Sequence, residues 1–549
     1  MKNSYRDILP QHYAEFPGSD LNGSIVDRFR KIVAQHGARV AIQHNDESIT
    51  YALLDLASSA LAALLLTRIS LSRAPVAMMY KHGPSYNVAQ FAVLKSGNFY
   101  ANIDCELKLE RQLLILGDLD ARIILCDDAC AAKAGLLAQA FPDLLVVNTE
   151  SVDLFGPGNL PEISITPQDY AYIVYTSGST GPPQGVIVSH ASVLHFTRNH
   201  TNYMHLHSDD RATQICPLWT GASAAEIFPV LLNGASLFPY SVNTHGLQQL
   251  TNLLTTERIT MFTAVPILFR MTMQAIGEDK KFADMRMLRL AGDRTTRAEV
   301  ALFQKHFTKK CLLRVGLGAS EALMFAHFFI DTEYQMAGEI APVGYALEDM
   351  ELLLLDDDWN EIKTAGEYGE IAVRSKYLSV GYWKNPALTQ ERFLTDGLDH
   401  EKKIYLSRDI GYRDAQGRLH HAGRIDARVK IYGKMYLVTD VEAALLGINH
   451  IKEAVVIPFD SGARGTELAA YIVTENGYCD LAAIRQQLAA KVAAEIRPRT
   501  ITILDAMPLH TNNKINRLQL KDYAGPSLSQ EQAVSQFGPQ LRVVPQVPH

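Results

Sequence analysis

Apolar positions along the 549-residue chain fall into short runs of two kinds. From residue 20 to about 425, strand-like runs alternate with helix-like segments at the spacing of βαβ units. The run RITMFTAVP (258–266) reads as a buried strand, preceded by the helical GLQQLTNLLTTE. MRMLRLAG and LLRVGLG are further strands that end on glycine. From Val343 to Ile431 the texture turns β-rich with tight turns. The last hundred residues alternate again: helix TDVEAALLG, strands EAVVIPF and ELAAYIVT, helix DLAAIRQQLAAKVAAEI, strand TITIL. The most apolar stretch, YALLDLASSALAALLLTRISL, is interrupted by Asp55 and Arg68. It is predicted to be a buried helix rather than a bilayer span.

This pattern predicts an α/β protein of more than one domain, since a single core does not grow to this length. A large N-terminal domain over 20–425 combines βαβ subdomains with a β-rich subdomain. A small α+β domain follows over 427–521. The tail 525–549, rich in Gln, Pro and Ser, has little to bury and is predicted to be disordered.

Composition narrows the partners. The chain is 47% hydrophobic and 20% charged with a net charge of −7, which offers no basic footprint for nucleic acid or an anionic membrane. Its 6 cysteines form no CxxC pair, and reduced thiols suit a cytoplasmic enzyme. The N-terminus lacks the apolar core of a signal peptide.

The richest local chemistry is YTSGSTGPPQGVIVSH, Tyr175 to His190, between an apolar strand and a helix. Glycines and hydroxyl residues there let backbone N–H groups converge on an anion. No Gly-Lys-Ser/Thr follows, so the loop is not a Walker A motif, and taken alone it reads equally as a surface turn. GLGASE (316–321) lacks the third glycine of a dinucleotide fingerprint.

The order YTSGSTGPPQGV, GLGASEA, GYWKNPALTQERF, YLSRDIGY, GRIDARVKIYG and MPLHTNNKINR resembles the adenylate-forming superfamily, most closely its stand-alone adenylation domains of nonribosomal peptide synthesis. The resemblance runs from about residue 20 to about 521.

It implies ATP with Mg²⁺ and a set of residue roles. Thr176, Ser177, Gly178, Ser179, Thr180 and Gly181 would cradle the β- and γ-phosphates. Gln184 stands where the family usually has lysine, which removes one positive charge and predicts slower ATP use. Gly318, Ala319 and Ser320 would border the nucleotide, with Ser320 in place of threonine. Glu321 would bind magnesium; alone it would read as an acid satisfying a helix N-terminus. Leu317 replaces a tyrosine near the adenine. Asp409 would accept from both ribose hydroxyls and Arg424 would reach ribose and phosphates, although by themselves they read as a surface pair. Arg408 replaces a glycine. Asp426 matches the hinge between domains. Lys514 would contact the substrate carboxylate and the α-phosphate on domain closure, with Asn513 in place of glycine.

In amino-acid-activating relatives an aspartate pairs with the substrate's α-ammonium. Aligning WTGASAAEIF on Glu226-Ile227-Phe228 puts Gly221 at that position, so a plain α-amino acid is disfavoured. The same alignment places Ala222, Ala225, Thr263, Arg289, Ala291, Gly316, Met324 and Phe325 around the pocket. Arg289 and Ala291 share a strand face. Arg289 either enters the pocket, where it could pair with a distal carboxylate or carbonyl, or faces solvent.

The resemblance implies that a carboxylic acid becomes an acyl-adenylate and then a thioester, on the phosphopantetheine of a carrier protein in trans or on coenzyme A. No carrier-like segment follows residue 521. An acyl-CoA ligase, an amide-forming ligase and a non-catalytic descendant are the alternatives.

Overall fold

The computed structural model describes residues 5, 8–68, 73–152, 154, 160–176, 183–277, 280–431, 434–461, 466–475, 480–509 and 515–522. The tail assigned to disorder lies outside them.

Two large sheets carry the N-terminal part. The first has seven strands among the described residues. Its inner strands are parallel and buried on both faces, so Met78, Ala101 and Leu125 are fully enclosed. Towards one side it carries a hairpin of β1 (Tyr170–Thr176) and β2 (Gln184–Ser189), whose arms pair from Tyr170↔Ser189 to Thr176↔Gln184, and the short strand Gly381–Tyr382 pairs outside β2 as the edge. The Gly- and Ser-rich loop therefore joins two strands of one ladder. Helix α1 (His190–Met204) follows at once, capped by Ser189, whose hydroxyl accepts from Ser192 N. Helix α2 (Gly221–Leu231) opens on Gly221.

The second sheet has nine strands among the described residues. Side by side in it lie β3 (Met261–Ala264), β4 (Met287–Leu290) and β5 (Leu312–Ala319), all parallel, then the antiparallel β6 (Leu323–Ile330). A tight turn joins β5 to β6, and Gly318 makes the crossing possible. A Cβ there would stand 2.5 Å from the carbonyl oxygen of Leu323.

A five-stranded antiparallel sheet forms the β-rich part, with β7 (Lys403–Arg413) pairing β8 (Leu419–Arg424). A single 3₁₀ turn, Ile425–Ala427, then leads to a small unit. That unit holds a hairpin, Arg428–Ile431 with Lys434–Leu437, and a three-stranded sheet, Ile451–Asp460, Thr466–Thr474 and Thr500–Ile503. Helix Val438–Leu446 packs on that sheet. The helix expected over 480–496 is shorter. It spans Leu481–Ala489 and ends before a 3₁₀ turn at Ala494–Ile496, and Ile484, Leu488 and Ile496 all join the same core. The apolar helix Tyr51–Arg68 is long and apolar enough to cross a membrane by length and composition, and it buries Tyr51, Leu54, Leu61 and Leu65 in the main core.

Candidate active site

The C-terminal end of β5, the middle of β7 around Tyr405 to Asp409 and the start of α2 meet in one region. Gly221 lies against the β5–β6 turn: a Cβ built on it would be 3.7 Å from Ser320 Oγ and 4.0 Å from Val174. Thr220, at the N-cap of α2, turns its hydroxyl to the Pro217 carbonyl at 2.8 Å and leaves the helix start uncapped by a side chain. No carboxylate stands at position 221.

Glu321 sits in the turn between β5 and β6, not at a helix N-terminus, so the helix-dipole reading is withdrawn. Its Oε1 accepts from the Tyr382 hydroxyl at 2.7 Å. Ser379 fixes the turn from below: its amide donates to Glu321 O at 2.9 Å and its hydroxyl to Ser320 O at 2.8 Å. Burial, with the Glu321 charge beside it, pushes the Tyr382 hydroxyl well up, so it stays a donor to the carboxylate. A carboxylate held by one oxygen keeps the other for a hard cation such as magnesium.

Asp409 is buried and pairs across the ladder with Arg424. Its Oδ1 lies 3.5 Å from Arg424 Nη1 and 3.4 Å from His421 Nε2, while its amide donates to Ser407 Oγ at 3.0 Å. Arg424, half of its side chain exposed, also donates to the Ser407 carbonyl at 3.2 Å. These are strand partners rather than a pair in a surface turn. Tyr405 lies between the two acidic positions, and both Glu321 and Asp409 bear on its hydroxyl, which burial raises. Arg408 takes the left-handed conformation at φ 59° inside β7, where the pairing with the neighbouring strand shifts register, a conformation that glycine would adopt without strain.

Thr176 and Gln184 close the loop hairpin, with Thr176 Oγ1 donating to Gln184 O at 3.3 Å. The Gln184 side chain is held too, accepting from Asn385 Nδ2 at 2.8 Å. It borders an open cavity of about 290 Å³ lined by Leu114, Asp118, Pro183, Trp383 and Lys384. Ser177, Gly178, Ser179, Thr180, Gly181 and Lys514 lie outside the described residues. Asp426 falls in the 3₁₀ turn between the large and small units.

The acid-pocket positions divide. Ala225, Ala291, Gly316 and Met324 are half-buried and Ala222 is exposed. Met324 folds over Gly316, its Cε 2.9 Å from where a Cβ on Gly316 would stand. Phe325 does not line the pocket. It is fully buried in the core beneath the turn, with Ala322, Val186 and Leu347. Thr263 is buried beside Arg289 in register across β3 and β4. Arg289 does not face solvent: it is 6% exposed and its Nη2 donates to Ala225 O at 3.2 Å.

Residues 29–383 match the AMP-binding enzyme family, and residues 440–514 match the AMP-binding enzyme C-terminal domain. The chain belongs to the AMP-binding enzyme family, within the adenylate-forming superfamily. It is 28% identical over 502 residues to tyrocidine synthase 1 of Brevibacillus parabrevis, covering 91% of this chain and 45% of that protein. It is 26% identical over 510 residues to gramicidin S synthase 1 of Brevibacillus brevis, covering 93% of this chain and 45% of that protein. The chain thus spans less than half the length of these relatives.

The fold recurs in ATP-bound MatB from Rhodopseudomonas palustris, with a TM-score of 0.81, 20% identity, and 91% of this chain and 99% of that one covered. It recurs also in Klebsiella oxytoca NpsA in complex with 3-hydroxyanthranilyl-AMSN, with a TM-score of 0.79, 23% identity, and 91% and 99% covered. For this AMP-binding enzyme, sequence reasoning missed Tyr382 and Ser379, although Tyr382 lies within the motif GYWKNPALTQERF. It also missed Arg314, two residues before Gly316 on the same strand face.

Proposed function

We propose that the chain activates a carboxylic acid with ATP and passes the acyl group to a thiol. In the first step a carboxylate oxygen attacks the α-phosphorus of ATP, and the bond from that phosphorus to the bridging β-oxygen breaks. The products are an acyl-adenylate and pyrophosphate. The carboxylate is a weak nucleophile that the phosphates repel, so charge neutralisation and in-line placement lower the barrier. Glu321 would hold magnesium arriving with ATP, steadied by Tyr382, and Asp409 with Arg424 would take the ribose. Lys514, carried on the small domain, would neutralise the reacting carboxylate and α-phosphate.

The observation that carries this reading is the convergence of the Glu321–Tyr382 and Asp409–Arg424 pairs on one region, beside a helix start that lacks a side-chain cap. Gly221 adds that the acid has no α-ammonium to satisfy. In the second step the thiolate attacks the acyl carbon and AMP leaves. Kinship with tyrocidine and gramicidin S synthases favours a carrier-protein phosphopantetheine thiol in trans, in nonribosomal-peptide-type biosynthesis. Likeness in fold to an anthranilate CoA ligase keeps coenzyme A as the second acceptor. Pyrophosphate exchange into ATP, run over α-amino, α-keto, aryl, fatty and dicarboxylic acids, tests the first step. A turnover confined to α-amino acids would overturn the pocket assignment, and silence for every acid would overturn the activity.

A further inference from the structure

Beneath the acid pocket the nine-stranded sheet carries a row of polar side chains on one face. Register pairs Thr263 with Arg289 and Arg289 with Arg314, so all three point to the same side, towards α1 and α2. Both arginines are buried, Arg289 at 6% and Arg314 at 1% exposure. Arg289 Nη2 donates to Ala225 O and lies 3.3 Å from His200 Nε2. Arg314 Nε lies 3.2 Å from His327 Nδ1, and its Nη1 meets Met204 Sδ at 3.5 Å. Burial keeps His200 and His327 neutral, so neither adds charge nor removes it.

What this cluster lacks, among the described residues, is a carboxylate hydrogen-bonded to either guanidinium. Arg289 Nε, Arg314 Nη2 and His327 Nε2 have no hydrogen-bond partner among the described residues. The acid whose charge bears on Arg289 is Glu226, and its Oε2 is already occupied by the amides of Ile215 and Cys216 at 3.0 and 2.9 Å. For Arg314 the charged neighbour is Arg289 itself, which is like in sign. A guanidinium stays protonated when buried, so two charges sit in a low-dielectric interior with one shared and distracted acid. Such an arrangement costs several kcal/mol unless an anion arrives.

The way in is short. Ala291 and Gly316 follow Arg289 and Arg314 by two residues, on the same face and nearer the Ser320–Glu321 turn. Gly221, beside Ser320, and Ala225, whose carbonyl touches Arg289, are one turn apart on α2, a separation of about 6 Å. Small residues therefore line the wall between the reacting end and the guanidinium, and the Met324 side chain, which lies over Gly316, is the one that an entering acid would have to displace.

We propose that the acid activated here carries a second carboxylate, and that Arg289, backed by Arg314, binds it. The substrate class is a short dicarboxylic acid, with about two to four carbons between its carboxylates to match one helical turn. This inference rests on the proposed adenylation. A planar fork of donors suits a carboxylate better than any neutral group, and bidentate pairing gives the geometric specificity.

The test has two readouts on the full chain. In pyrophosphate exchange, kcat/KM for succinate, glutarate or adipate is expected to exceed that for butyrate or valerate at least 100-fold, with the monomethyl esters following the monocarboxylates. The Arg289→Met variant is expected to lower the dicarboxylate-to-monocarboxylate ratio at least 100-fold. Monocarboxylates preferred by the parent, or a ratio unmoved by Arg289→Met, would overturn the proposal. Calorimetric titration of glutarate without ATP reads the pocket apart from chemistry. Saturable binding that Arg289→Met abolishes supports the site even where no acid drives exchange, which would count against the adenylation alone. Absence of glutarate binding to the parent overturns the site.

Discussion

Replacing Glu226 by Gln isolates the electrostatics of the helix that walls the pocket. Glu226 is 1% exposed, and one oxygen accepts both the Ile215 and Cys216 amides while Oε1 has no partner among the described residues. Burial pushes its carboxyl from 4.5 up to about 7, against the opposing pull of the two amides and of Arg289. In the unfolded chain the proton leaves near the ordinary value; in the fold it stays until about pH 7. Between those limits the folded state binds more protons, so stability falls as pH rises through the window, and the loss is complete above it. Carried from pH 5 to pH 8.5, that difference amounts to about 2 to 3 kcal/mol. Glutamine keeps an acceptor for the amides and has nothing to titrate. Urea unfolding of parent and Glu226→Gln at both pH values should therefore show the variant gaining about 2 to 3 kcal/mol on the parent between pH 5 and pH 8.5. Every other group titrates alike in both proteins and cancels. Parallel pH profiles would refute the buried, proton-holding carboxylate.

Three further outcomes follow from the geometry. Tyr382→Phe removes the 2.7 Å hydrogen bond that steadies Glu321, and the magnesium concentration giving half-maximal pyrophosphate exchange should rise about tenfold. Lys514→Ala should cut adenylation about 10²-fold or more while leaving the melting temperature unchanged, and a variant that adenylates like the parent would remove Lys514 from the chemistry. Gly344→Ala should cost about 3 kcal/mol or more in chemical unfolding, because φ is 85° and the new Cβ would lie 2.2 Å from His327 O; Gly338→Ala, with nothing within 4 Å, is the silent control.

The sequence made the alternation of strands and helices legible because parallel strands buried on both faces are continuous apolar runs, as in MFTA and LLRV. Motif order made the family legible. Side-chain direction was not: a shift of one residue reverses a strand face, and only the burial of Arg289 and its hydrogen bond to Ala225 O settle that it turns inward. Phe325 was misassigned for a related reason. The pairing of β5 with β6 shifts between Leu317 and Gly318, and an irregularity of that kind cannot be seen in apolar periodicity. Tyr382 and Ser379 were hidden because their partners lie about sixty residues away in the chain, beyond any local pattern.

The contacts between the large and small units centre on two charges, Glu442 and Arg270, that each keep a second partner within their own unit. Arg294 of the large unit pairs with the buried Glu442 of the small one, and Glu442 keeps a second partner of its own in Arg517, at 2.8 Å. Arg270 reaches Glu453 across the boundary at 2.8 Å while also holding Glu299 within the large unit. Removing one member of a buried ion pair is costly because the other charge is left bare. Here each charge that burial would punish, Glu442 on one side and Arg270 on the other, retains a counter-ion when the interface parts. Separation would exchange these ion pairs for water and would also part Leu437 and Thr439 of the small unit from Ile410 and Ala422 of the large one, and these are the contacts a small domain would have to give up in changing its orientation.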